Sequence, residues 1–266
     1  MRNLLLFLLG GAALLVAGCS GNLPSSASAR EVVVSALAKD LGVGSNVTGI
    51  VLAVTAADME TITQSAEMVN GEATIELEVP IGEDRVFTMT AFDAEEVALY
   101  SGSRTADVLG GQITEIIIDL EPQVPMIKVT PIYHAMTDAD SATFQVRIYN
   151  VDSLFGASFR LEFDSTMMSV AAFEAGDLFA GRDPIFFAVE RENYLAVGYT
   201  LKGNQQPQGV SADATLLQVT FTAVGSGLAH LNIDPSTLQL VNWRGDLLPL
   251  DGVLYIENGE VQIGAP

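Results

Sequence analysis

A single cysteine, two histidines and one tryptophan in 266 residues leave little material for most catalytic chemistries. One thiol, Cys19, makes no intrachain disulfide, no redox pair and no zinc-thiolate cluster, so stability has to come from packing. His134 and His230 lie far apart, neither with another histidine at metal-ligand spacing, which argues against most metallohydrolase and triad arrangements. Cations are scarce too: 12 Lys and Arg stand against 33 Asp and Glu, a formal net charge of −21. That excess repels phosphate backbones and anionic headgroups alike, which excludes nucleic acid as a partner class. Among 33 carboxylates, neighbours such as Asp138 and Asp140 or Glu95 and Glu96 are unavoidable. They indicate neither a glycosidase pair nor a calcium loop without further oxygen ligands in register. The expectation is a protein that catalyses nothing and holds no metal or cofactor of its own.

What the sequence does have begins at its amino terminus. Arg2, an uninterrupted apolar run from Leu4 to Ala17 and small residues just before Cys19 make a secretory signal peptide over residues 1–18, too short for a spanning helix. Val16-Ala17-Gly18-Cys19 resembles the bacterial lipobox. The resemblance implies cleavage before Cys19, acylation of its thiol and amino group, and a lipid anchor. Each buried methylene contributes about 0.8 kcal/mol, so two or three chains hold firmly where one does not. Ser20, where an aspartate would retain such proteins at the inner membrane, implies the outer membrane by the same resemblance, facing either the periplasm or the medium. Residues 19–30, with Gly21, Pro24, Ser25, Ser26 and Ser28, read as a polar tether. Ten residues reach roughly 35 Å at full extension, which keeps the next domain near the bilayer.

The roughly 250 residues beyond the leader suffice for two domains, and both read as strands. In residues 31–122, Val32 to Val34, Ile50 to Thr55, Arg85 to Phe92, Val97 to Ser101 and Ile113 to Leu120 are strand-forming segments between turn residues. Asn70-Gly71 is the preferred pair of a type I′ hairpin turn, and Ile75, Leu77 and Val79 then alternate with Thr74, Glu76 and Glu78. Six or seven short strands at this spacing indicate an antiparallel sandwich. Residues 82–93 resemble the middle of immunoglobulin-like or transthyretin-like modules, which implies a spacer. Pro122 and Pro125 then mark a boundary, with residues 123–125 as a semi-rigid linker.

Residues 126–264 alternate with a period of two. Phe144, Val146 and Ile148 point one way, and Phe159, Leu161 and Phe163 point inward while Ser158, Arg160 and Glu162 face out. Residues 173–184 read as a loop or a single helical turn. Strands follow at Phe186 to Val189 and Leu195 to Leu201, then Leu217, Val219 and Phe221 inward, His230 to Ile233, Leu238 to Val241, and a closing hairpin about Asn258-Gly259. About nine strands result. The fold class is therefore all-β, two antiparallel sandwiches in tandem.

The segment Gly156 to Asp164 followed by Met168-Ser-Val170, the strand Leu216 to Ala223 before Gly225-Ser-Gly227, and the stretch Gly252 to Ile263 together resemble a cohesin domain. Cohesins are nine-stranded jelly rolls related to carbohydrate-binding modules. The resemblance implies capture of a protein partner, a dockerin, on one sheet face, with any calcium residing in the dockerin. Carried onto this chain, the contact positions fall at Gly156 and Ser158 and at Gly198 and Thr200, with Arg160 beside them and Glu162 at the rim. Type I cohesins commonly carry Asn and Asp where this sequence has Gly156 and Ser158, a departure that bears on dockerin contacts and not on the fold. Trp243 is the alternative, a stacking platform for a surface polysaccharide or else a partly buried loop anchor.

Overall fold

The computed structural model describes residues 29–37, 44–69, 72–110, 116–203, 209–250 and 252–264. The signal peptide, Cys19 and the tether through Ser28 lie outside the described residues. No helix occurs among those described.

The N-terminal body contains β1 (Ala29–Leu37), β2 (Gly49–Ala56), β3 (Met59–Glu67), β4 (Glu72–Pro80), β5 (Gly82–Phe92), β6 (Ala98–Val108) and β7 (Glu121–Pro122). Five of them form a sheet in the order β3-β2-β5-β6-β7, and β1 pairs with β4 in a separate ribbon. Ile75, Leu77 and Val79 are buried while Thr74, Glu76 and Glu78 face water, so the alternation in β4 is real. Asn70-Gly71, the turn of an expected hairpin, lies outside the described residues; the strands on either side, β3 and β4, belong to different sheets. The strand expected over Ile113 to Leu120 is corrected as well. Residues 113–115 are not described, and residues 116–120 run beside β6 without joining it. At Gly102 the Asp119 carbonyl comes so close that a Cβ would lie 2.0 Å from it, and strand pairing begins only at Glu121. The first strand also starts at Ala29, two residues inside the expected tether.

The C-terminal body has twelve strands among the described residues, more than the nine expected: β8 (Met126–Thr130), β9 (Tyr133–Met136), β10 (Ser141–Leu154), β11 (Gly156–Phe163), β12 (Met168–Ala175), β13 (Pro184–Glu190), β14 (Tyr194–Leu201), β15 (Val210–Ala223), β16 (Gly227–Ile233), β17 (Gln239–Val241), β18 (Tyr255–Glu257) and β19 (Gly259–Ile263). They form two sheets, β12-β15-β10-β8-β18 and β13-β14-β11-β16-β19-β9, with β17 on β11. The inward side chains expected from the alternation are all buried: Phe144, Val146, Ile148, Phe159, Leu161, Phe163, Leu217, Val219 and Phe221. Each contributes about 1.5–3 kcal/mol relative to exposure. Edge contacts among Phe144, Phe163 and Phe221 centre this core.

Three further expectations change. Residues 173–175 extend β12, so the loop is shorter than expected; within it the Ala180 amide donates to the Asp177 carbonyl at 2.9 Å and the Arg182 amide to the Phe179 carbonyl at 3.1 Å. Asn258-Gly259 is not a hairpin turn: β18 pairs in parallel with β8 in one sheet and β19 with β16 and β9 in the other. Gly259 is there for closeness, because a Cβ would meet Val129 Cγ1 at 2.8 Å where the sheets approach. Finally, two of the pairings, β18 with β8 and β19 with β9, are parallel, so the sandwich is not wholly antiparallel.

Strand β8 is buried on both sides. Ile127 and Val129 enter the C-terminal core, whereas Met126 joins the core of the N-terminal body together with half-buried Tyr149 and Tyr255. The N-terminal body thus covers the outer side of the five-stranded sheet along β18, β8 and β10.

Candidate functional site

The opposite sheet leaves its outer side open at β13, β14 and β11. Register fixes what meets there. Ile185 pairs with Thr200 and Thr200 with Gly156; Phe187 pairs with Gly198 and Gly198 with Ser158; Val189 pairs with Ala196 and Ala196 with Arg160. One rung further, Tyr194 pairs with Glu162. The five residues singled out from the sequence, Ser158, Arg160, Glu162, Gly198 and Thr200, therefore lie on one contiguous face.

Their roles on that face differ. Arg160 and Glu162 are exposed and Ser158 is half-buried. The Arg160 guanidinium stands 4.7 Å from the centroid of the Tyr194 ring, a cation-π contact. Asp234 is held below the usual carboxylate range by the Ser236 hydroxyl, with its backbone amide and the Arg160 charge adding to the effect. Gly198 is covered, since Phe187 lies across it so closely that a Cβ would fall 2.1 Å from the ring. The Thr200 hydroxyl is held on the sheet backbone, its proton shared between the carbonyls of Phe155 and Leu201, each at 3.2 Å.

Sequence reasoning missed the apolar stripe beside them. Pro184 to Glu190 is apolar at both parities: Phe186 and Ala188 pack on the core, while Ile185, Phe187 and Val189 are 47, 55 and 39% exposed. A strand segment apolar at both parities was the available signal, because a strand with one face on the core needs only one apolar parity. Small floor residues at Gly156, Ser158 and Gly198 let this stripe stand proud of the sheet.

Trp243 lies elsewhere, in the turn Asn242 to Gly245, 45% exposed, with the Arg244 guanidinium 4.9 Å from its ring. It is a partly buried residue of that turn, and a cation already occupies one of its faces. Asp140 serves its own turn, accepting from the Thr137 amide at 2.9 Å and from the Thr137 hydroxyl. His134 makes an edge contact with Phe144, and His230 is exposed. A trough of about 780 Å³ on the N-terminal body, between β2 and β3, includes Asp93, whose carboxylate is taken by the Glu95 and Val97 amides and by Tyr255. Among the described residues no group of three or more His, Cys, Asp or Glu converges as a metal cage.

The C-terminal sandwich thus has one open, apolar, arginine-edged sheet face. Residues 139–253 match the family model of the cohesin domain. The cohesin match covers most of the C-terminal body and contains the whole of β11, β13 and β14. Solved cohesins are similar to this chain at low identity. A non-cellulosomal cohesin from the archaeon Archaeoglobus fulgidus is 18% identical, covering 53% of this chain and 92% of its own, with a TM-score of 0.43. The third ScaC cohesin of Acetivibrio cellulolyticus, solved in complex with the ScaB dockerin, is 16% identical over 53% and 99% of the two chains, with a TM-score of 0.44. A type II cohesin domain from the cellulosome of Acetivibrio cellulolyticus is 13% identical over 52% and 95%, with a TM-score of 0.45. No curated protein matches the chain.

Proposed function

We propose that this protein is a non-catalytic adaptor, lipid-anchored through Cys19 at the outer membrane, which captures a dockerin-bearing protein on the β13-β14-β11 face. The observation that carries the reading is the stripe Ile185, Phe187 and Val189, apolar and open to solvent beside the Arg160-Tyr194 pair, within the cohesin-matched residues. An aromatic flanked by an arginine and small floor residues is the composition of an interface hot spot. With net charge −21, a partner carrying a basic recognition surface would also be steered toward the chain. Anchoring and protein capture need no bond-making chemistry.

The test is calorimetric titration of the full chain, Cys19→Ser to keep it soluble, with calcium-loaded dockerin modules from the same genome. Binding by at least one is expected, and Phe187→Ala should weaken it about 30-fold, equivalent to about 2 kcal/mol. No heat with any dockerin removes the reading. Retention of the chain in polysaccharide gels, lost on Trp243→Ala, would replace it with a carbohydrate-binding one.

A further inference from the structure

The covered side of the C-terminal body carries an unusual row of charge. Parallel pairing of β18 with β8 and antiparallel pairing of β8 with β10 align two rungs against the N-terminal body. One rung is Tyr255, Met126 and Tyr149. The other is Glu257, Lys128 and Arg147, a carboxyl beside two cations, and Glu257 and Lys128 are only 1% and 7% exposed. Buried charges are costly unless their surroundings answer them.

Several elements of both bodies close on this rung. From the turn before β2, Asn46 Nδ2 donates to the Glu257 carboxyl and to the Ile256 carbonyl, both at 3.3 Å. Gly44 sits against the same carboxyl so tightly that a Cβ would lie 0.9 Å from Glu257 Oε2. From β6, Tyr100 donates to Met126 Sδ at 3.1 Å, and its ring lies 5.1 Å from Lys128 Nζ. From β10, the Tyr149 ring is 5.9 Å from Lys128 Nζ and 5.2 Å from the Arg147 guanidinium. On the neighbouring rung Tyr255 donates to Asp93 Oδ2 at 2.7 Å.

We propose that Glu257 is a proton-operated latch between the two bodies, docking its neutral carboxyl into the Gly44-Asn46 turn and loosening the junction when that carboxyl ionises. Burial pushes the docked Glu257 up from 4.5 to about 7, against the Asn46 hydrogen bond, the Lys128 charge and a hydrogen bond from the Tyr100 hydroxyl. Burial pulls Lys128 down from 10.5 to about 8, with Glu257 opposing and Arg147 assisting. The signs follow. An undocked Glu257 would hold its proton only below its ordinary 4.5, so docking takes up a proton between 4.5 and 7 and weakens as pH rises through that window. Lys128 acts the other way, docking becoming more favourable as pH rises from 8 toward 10.5. Docking is therefore weakest at pH 7 to 8, where both groups are charged.

Spin labels on Glu60→Cys in β3 and Glu192→Cys after β13, in full chain carrying Cys19→Ser, report the separation of the bodies. At about pH 5.5 one narrow distance is expected, and near pH 7.5 a second, broader population, the docked-to-open ratio falling about twentyfold between them. Glu257→Gln keeps the shape and loses the proton, so its distribution should stay the same at both pH values. Gly44→Ala drives a methyl into the carboxyl and should open the junction throughout, while separate melting of the two cores confirms that each body remains folded. A wild-type distribution unchanged with pH, or a Gln variant that opens as the wild type does, overturns the latch. Dockerin titration at either pH is a separate readout that leaves this result untouched.

Discussion

Phe187 is the side chain on which most of the proposed recognition turns, and its position depends on the absence of another. The ring lies over Gly198, and Gly198→Ala would bring a methyl to 2.1 Å from it. The ring has to swing away while the inward residues of β14, Leu195, Val197, Tyr199 and Leu201, stay as they are. The expected outcome is a partner affinity reduced about tenfold with an unaltered thermal midpoint, measured by titration and by melting of the same samples. In the N-terminal body, Arg85 is 1% exposed and donates to the carbonyls of Pro80 and Ile81 and to the Asp58 carboxylate. It clasps the corner between β4 and β5. Arg85→Met should cost about 2 kcal/mol, read from the denaturant midpoint, because two carbonyls lose their donor. Asp58 is held below its ordinary 3.8 by that guanidinium, so the contribution of the pair is intact above 3.8 and is lost as pH falls below it.

At the scale of elements, alternation was the most legible property of the chain. Strands β4 and β11 have one wet and one dry parity, β10 and β15 one buried and one largely half-buried, and their inward residues were readable because a period of two leaves only two assignments. The Asn-Gly signal speaks only to the local chain. The strands before and after each of the two dipeptides belong to different sheets, and sheet membership depends on long-range burial that no local signal carries. At Asn258 the side chain has a different task, accepting from the Ile233 amide at 2.9 Å where the chain crosses between sheets. Asn258→Ala should therefore cost about 1 kcal/mol in unfolding free energy, whereas a mere turn residue would tolerate the change. The stripe on β13 stayed hidden because a continuous apolar run reads as buried, and only the sheet order reveals that this strand stands at an edge. Positions on β11 and β14 were legible by resemblance alone, and the structure adds that Thr200 is committed to internal carbonyls while Arg160 is held on Tyr194.

Across the whole molecule, one sheet of the C-terminal sandwich is covered along β18, β8 and β10 by the N-terminal body, and the other is open at β13, β14 and β11. The expected spacer is thus packed against what it carries, with Asn150 Nδ2 donating to the Pro122 and Val124 carbonyls across the connecting segment. Strand β8, the first after those prolines, is bonded along five residues to β10 and along three to β18. A load entering the C-terminal body from its amino-terminal side would pull β8 lengthwise, so that these bonds resist together in shear instead of opening one at a time. Such a strand behaves as a splice in a rope, stiffest against a pull along its own length.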